Sequence, residues 1–134
     1  MKKDPSRLRQ ELRRVEDARS PHVEALMAVR EALRRGSFVT LYRRCGKPTC
    51  HCAEGEGHPG KYLSLKEGGR TRLVYVGAAD EVAVAEANGR HRDFRRHRTA
   101  LAKLGQETLD LVDRLGATLT MPEPRPRGRR RARR

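Results

Sequence analysis

Three cysteines and a histidine that lie close together are the feature that most limits how this chain can fold. They are Cys45, Cys50, Cys52 and His58, in the spacing Cys-x4-Cys-x-Cys-x5-His. Zinc prefers four soft or borderline ligands in a tetrahedron, and three thiolates with one imidazole are a common structural set. The spacing therefore predicts one zinc ion, held by these four side chains, that orders the loop in which they lie.

The same residues leave alternatives open. A redox-active thiol pair, an unpaired structural cysteine and chance clustering in a loop are the other interpretations. If the backbone from Cys50 to Cys52 is extended, both sulfurs face one way and the intervening side chain faces the other, which favours His58 as the fourth ligand. The histidines that can replace it are His22, His51, His91 and His97. Four protein ligands leave no open coordination position, so the zinc is expected to be structural and the protein is not expected to be an enzyme.

The composition explains why a metal would matter. Hydrophobic residues make up 36% of the chain, charged residues the same share, and there are two Phe, three Tyr and no Trp. Small domains with a thin core commonly need a metal, a disulfide or a partner chain. Three cysteines without a signal-peptide pattern favour reduced thiols and a cytoplasmic protein. No apolar run approaches the ~18 residues of a membrane span, so no membrane partner is expected.

Hydrophobic periodicity predicts an α+β fold. The first part contains a short amphipathic helix and a second helix over about 21–35, with Ser20 as its N-cap, Pro21 in its first turn and Gly36 as the left-handed residue that ends it. Strand-like segments follow, and Gly68 and Gly69 fit a tight hairpin turn. A three-stranded antiparallel sheet that carries the zinc loop is expected from the segments 38–42, 62–65 and 71–76.

After Asp80, a candidate N-cap, one long helix or two collinear helices are predicted, with a possible kink at Asn88-Gly89. One side has an apolar stripe at heptad-like spacing, which is expected to pack against the N-terminal helices as an α-hairpin or against a second copy as a coiled coil. Its members are Phe94, Leu101, Leu104, Thr108, Leu111 and Leu115. The predicted segments are 1–36 (helical), 37–78 (zinc-stabilised β-hairpin), 79–120 (long helix) and 121–134 (disordered Arg-rich tail).

The charge points to a polyanionic partner. Lys and Arg number 31 against 17 acids, a net charge of +14, and such a field attracts nucleic acid. The few candidates for stacking on single strands are Tyr42, Tyr62 and Tyr75. Their scarcity favours duplex DNA, or structured RNA bound through its backbone, over sequence-specific recognition of single strands, and of the two DNA is favoured. The candidate nucleic-acid-binding residues are Arg43, Arg44, Lys47 and Arg72 around the strands, Arg92, Arg95 and Arg96 on the long helix, and Arg129, Arg130 and Arg131 in the tail.

The segment from Arg44 to Cys52, followed by His58, the 62–64 strand, a glycine hairpin ending at Val76 and a long charged helix, resembles a family of small uncharacterised bacterial proteins. Genes of that family often lie near mobile elements, which implies a role beside a transposase or recombinase. The cysteine pattern is the specific part of the resemblance, and it supports a metal and a fold more than an activity.

The sequence therefore predicts a non-catalytic, zinc-stabilised nucleic-acid-binding protein, favouring duplex DNA, that is accessory to a mobile element and lies in the cytoplasm or on the nucleoid. Two alternatives remain. One is a protein assembly module that self-associates or binds a partner through its helices. The other is an RNA- or ribosome-associated factor.

Overall fold

The structure, a computed structural model, describes residues 4–128 of the chain. The elements follow in the order α1 (Pro5–Met27), β1 (Ser37–Arg43), β2 (His58–Glu67), β3 (Arg70–Val76) and α2 (Glu81–Leu119), with a 3-10 helix at His51–Glu54. The predicted α+β class is confirmed. Across residues 4–128 there is no helix long and apolar enough to cross a membrane.

The sheet is antiparallel in the order β1-β2-β3, as predicted. Gly68 and Gly69 have φ of 56° and 78°, the positive values that a tight hairpin turn of this kind requires. Side chains alternate between two faces. The inner face contains the buried Leu63 and Val76, and a cavity of about 600 Å³ lies between this face and α2. The other face, here called the outer face, is open and contains Tyr75.

The predicted boundaries of the N-terminal helices were wrong. α1 is one helix that contains Pro21, whereas the sequence predicts two helices with the second over 21–35. Pro21 is exposed, so α1 accommodates it at the cost of one backbone hydrogen bond. Ser20 is accordingly not an N-cap. The Arg30 guanidinium donates to the Met27 carbonyl at 2.8 Å, which satisfies one of the free carbonyls at the end of the helix.

Residues 28–36 are not helical because α2 binds their backbone. The Arg34 N–H donates to the Ala87 carbonyl at 3.0 Å. The side-chain amide of Asn88, which is 2% exposed, donates to the carbonyls of Arg34 and Gly36 at 3.0 and 2.6 Å. Gly36 therefore takes its φ of 101° at the entry to β1 and not at the end of a helix.

α2 is a single helix that continues through Asn88 and Gly89. On the predicted stripe Leu111 is buried and the other members are half-buried. The chain divides into two compact units. One comprises residues 4–21 and 102–128 of the described chain and buries Leu8 and Leu111. The other, His22–Leu101, contains the sheet and the cysteines.

Candidate metal centre and basic surfaces

The cysteine loop is the connection between two paired strands. β1 ends at Arg43, β2 begins at His58, and these two residues are partners in the ladder. The loop of residues 44–57 is therefore closed at its base by sheet pairing. One candidate ligand, His58, belongs to the sheet itself, so its position relative to the loop is set by the register of the strands.

Two close approaches shape this loop. Gly57 has a φ of 95°, and a Cβ placed there would lie 2.5 Å from the carbonyl carbon of Arg43. Arg44 donates from Nε to the carbonyl of Gly55 at 3.2 Å, which joins the two ends of the loop. Glycine is strongly favoured at this position, since the left-handed conformation and the lack of space both disfavour a Cβ.

The middle of the loop consists of tight turns. The Cys50 N–H donates to the Lys47 carbonyl at 3.1 Å, and the Ala53 N–H donates to the Cys50 carbonyl at 3.0 Å. The extended backbone on which the choice of His58 over His51 depended is present at Cys50 but not beyond it, because a 3-10 helix begins at His51. The helical turn, and not strand alternation, sets the direction of the Cys52 sulfur.

The four predicted ligand atoms lie within 4.8 Å of one another, so their clustering is confirmed. Sγ of Cys45 and Sγ of Cys52 are 3.4 Å apart, and Sγ of Cys50 is 3.2 Å from Nε2 of His58. A tetrahedron with Zn–S bonds of about 2.3 Å has edges of about 3.8 Å. The Cys45–Cys52 separation of 3.4 Å is about 0.4 Å below that edge, and all four ligand atoms lie within 4.8 Å of one another. The donor set is one that zinc prefers.

Backbone donors and burial shift the pKa values of two of the thiols in opposite directions. The pKa of Cys45 is lowered to about 6, first by the Lys47 backbone N–H and then by the side chains of Cys52 and His58. For Cys52 the Cys45 backbone N–H, 3.4 Å from the sulfur, lowers the pKa, but desolvation and the neighbouring thiols outweigh it and raise the pKa above its ordinary value. Crowded thiolates of this kind are stabilised by a cation at their centre.

The remaining histidines are placed elsewhere. The ring of His51 packs edge-on against that of His58, with centroids 5.4 Å apart, and it is not part of the four-residue cluster. His22 and His97 contact each other, with Nδ1 atoms 2.9 Å apart. These two histidines satisfy each other between α1 and α2, where one ring donates and the other accepts.

The predicted basic residues of the strands do not form one group. Arg43, Arg44 and Lys47 lie at the loop end of the sheet. Arg72 pairs with Leu65 in the ladder, about 23 Å from His58 along β2 at about 3.3 Å per residue, and forms an ion pair of 3.7 Å with Glu67. The structure therefore separates Arg72 from the other three.

The predicted arginines of α2 are exposed and share one side of the helix. Arg96 is ion-paired with Asp93, whereas no ion pair joins Arg92 or Arg95 to any residue in the described part of the chain. The nearby Arg90 is already engaged, since it binds Glu31 at 3.0 Å and the Ala32 carbonyl. The tail candidates Arg129, Arg130 and Arg131 lie outside the described residues.

Sequence reasoning missed two contacts, one made by Asn88 and one between two of the tyrosines. Helix propensity alone marks Asn88 as a weak point of the helix, although a polar residue on the buried side of a helix is a signal for a tertiary hydrogen bond. Tyr62 and Tyr75 are ladder partners with ring centroids 5.5 Å apart. Their pairing follows from the predicted turn at Gly68-Gly69, because both tyrosines are equally distant from that turn.

Comparison with known proteins places the chain in a family. It belongs to the family described as a domain of unknown function (DUF6788), whose profile matches residues 6–86. The matched part covers most of α1, the whole sheet, the cysteine loop and the beginning of α2. No curated protein and no solved structure matches the chain.

Proposed function

We propose that this member of the DUF6788 family is a non-catalytic nucleic-acid-binding protein whose fold is stabilised by one zinc ion at Cys45, Cys50, Cys52 and His58. The clustering of these four side chains is the observation that carries the zinc proposal. Four ligands from the protein complete a tetrahedron, so the metal would hold the loop without offering a position for substrate. The ion would neutralise thiolates that otherwise repel one another.

Metal analysis tests the zinc proposal. The purified protein is expected to contain one zinc per chain, and His58→Ala is expected to lower that content. His51→Ala is the matched control, because its ring contacts His58 but lies outside the cluster. Equal zinc content in the two variants, or an absence of zinc in the unmodified protein, would contradict the proposal.

Unpaired cations support nucleic acid as the partner. The net charge is +14, and exposed arginines without an ion pair within residues 4–128 include Arg92 and Arg95 on α2. Guanidinium groups spaced along one side of a helix suit phosphate contacts, which favours the backbone of duplex DNA. The cysteine segment also resembles proteins encoded near mobile elements. Together with the basic surface, this resemblance favours a protein that assists a transposase or recombinase and lies in the cytoplasm or on the nucleoid.

Mobility shifts at moderate salt test this partner. Retardation of duplex DNA is expected, and competition with ribosomal RNA distinguishes a DNA-binding protein from an RNA-associated factor. If neither DNA nor RNA is retarded, the nucleic-acid proposal is wrong. The sample is treated with nuclease and freed of bound nucleic acid beforehand.

An assembly module is the second candidate. Leu109, Val112 and Leu119 on α2 are 58%, 47% and 56% exposed, and their spacing places them on one stripe of the helix. Such a stripe suits self-association or a helical partner. Light scattering separates the two candidates, because a nucleic-acid-free monomer that binds DNA strongly counts against assembly.

A further inference from the structure

The outer face of the sheet is an open surface on which two tyrosines meet. The strand registers place Val39, Tyr62 and Tyr75 in one row across β1, β2 and β3. Tyr75 is 66% exposed, and its ring meets that of Tyr62 edge-on. A ring with this exposure does not fill the core, and the edge-on contact with Tyr62 supports it on the surface.

The tyrosine pair is held in place by its neighbours. Gly60 lies two residues before Tyr62 on the same face, and a Cβ at that position would lie 3.0 Å from the ring of Tyr62. On the other side, the Arg43 guanidinium lies 4.9 Å from the centroid of the same ring, within the range of a cation–π contact. Gly60 thus leaves room for the ring, and Arg43 and Tyr75 restrict its movement.

The charge of this face matches a polyanion. Of the residues that the strand registers place there, Arg43 and Lys66 are cations and none is an acid. Beside Tyr75 a further open cavity of about 290 Å³ is lined by Gly60, Lys61 and Glu81 among others. A flat ring can therefore approach Tyr75 from solvent, while a phosphate on the same strand can reach Arg43 or Lys66.

From this placement we infer that the outer face binds a single-stranded segment of nucleic acid by stacking an unpaired base on Tyr75, whose ring Tyr62 supports, with Arg43 and Lys66 contacting the phosphates on either side. The inference rests on the proposed nucleic-acid function and refines it. Bases within a duplex are already stacked and present no free face, so this surface discriminates single strands from duplexes, whereas the arginines of α2 do not. Stacking is tolerant of sequence because every base has a π-face.

The test measures fluorescence anisotropy of labelled oligothymidine and of a labelled duplex, each titrated with the full chain and its variants. Tyr75→Ala is expected to weaken binding of the single strand roughly tenfold, with little change for the duplex. Tyr75→Phe keeps the ring and is expected to bind as the unmodified protein does. Tyr42→Ala is the matched control, since Tyr42 is 55% exposed but lies on the opposite face of the sheet.

A second measurement uses the tyrosines themselves. The chain has no Trp, so stacking is expected to quench its intrinsic tyrosine fluorescence on addition of the single strand, and Tyr75→Ala should reduce this quenching. Zinc content and the circular dichroism spectrum show that each variant is folded.

The outcomes distinguish the single-strand inference from the proposal that the protein binds nucleic acid at all. If Tyr75→Ala binds the single strand as well as Tyr42→Ala does, or if Tyr75→Phe is weakened as much as Tyr75→Ala, the inference is wrong while nucleic-acid binding stands. A dimer that Tyr75→Ala dissociates would mean that a second copy occupies the face, which also overturns the inference. Failure of the unmodified protein to bind either oligonucleotide overturns both proposals.

Discussion

Two glycines of the metal loop allow the role of loop closure to be measured. Gly46 and Gly57 both have positive φ, 79° and 95°, so an alanine at either position costs about 1–2 kcal/mol in backbone conformation. Their surroundings differ. A Cβ at Gly46 meets nothing within 4 Å, whereas a Cβ at Gly57 would lie 2.5 and 2.6 Å from the carbonyl carbon and oxygen of Arg43.

The clash at Gly57 decides how much stability each variant loses. Carbon atoms normally approach no closer than about 3.5 Å, so Gly57→Ala must move the ends of β1 and β2 apart by about an ångström. Overpacking of this kind typically costs a further ~1–3 kcal/mol. We expect Gly57→Ala to destabilise the protein by about 2–5 kcal/mol and Gly46→Ala by about 1–2 kcal/mol. Because Arg43 pairs with His58, the same movement should separate His58 from the Cys50 sulfur.

The assay combines thermal unfolding with zinc release to a chelator. Gly57→Ala is expected to release zinc at chelator concentrations that leave Gly46→Ala loaded, by a factor of at least about ten at 1.4 kcal/mol per decade. Equal zinc retention in the two variants would refute the reasoning, because it would mean that closure at Arg43 and His58 does not position the metal ligands.

Three further predictions concern the rest of the chain. Asn88→Ala removes two buried hydrogen bonds and should lower the free energy of unfolding by about 1–3 kcal/mol in urea denaturation. Asn88→Asp should lower it further, since a carboxylate would face two carbonyls. Gln106→Ala, on the same helix but exposed, should change it little. Pro21→Ala should raise the melting temperature, because it restores a hydrogen bond within α1, and a fall would show that Pro21 has a packing role. Replacing Arg92, Arg95 and Arg96 by Gln should lower the slope of log affinity against log salt for duplex DNA by about 0.9 for each phosphate that the variant no longer neutralises. An equal decrease in a variant with Arg7, Arg9 and Arg13 replaced would indicate that only total charge matters.

Much of the metal site was predictable because it is local. Cysteines separated by a few residues are held close by the chain itself, and the predicted glycine turn brings the second strand back beside the third. His58 was the harder choice, and its place in the cluster depends on the pairing of Arg43 with His58 across the sheet. The extended backbone assumed from Cys50 to Cys52 does not continue past Cys50, because a 3-10 turn begins there with the Ala53 N–H bonded to the Cys50 carbonyl.

The boundary of α1 was not predictable from the same kind of signal. Ser20, Pro21 and Gly36 form a persuasive local pattern for a helix that starts and ends at those residues. The competing interactions come from α2, more than fifty positions away in the chain, where Asn88 and Ala87 bind the backbone of residues 34–36. Local propensities are worth less than a buried network of three hydrogen bonds, so the tertiary contact prevails.

By itself, the sequence determined the α+β class, the cysteine motif with zinc-ligand spacing, the hairpin turn and the long C-terminal helix, because each depends on residues that are neighbours along the chain. The tertiary structure alone decided where α1 ends, which arginines are already engaged, and that the face on which Tyr62 and Tyr75 pair remains exposed. Those features depend on which elements contact each other and which surfaces remain exposed. Burial and ion pairing belong to the folded chain as a whole, and no local pattern of residues encodes them.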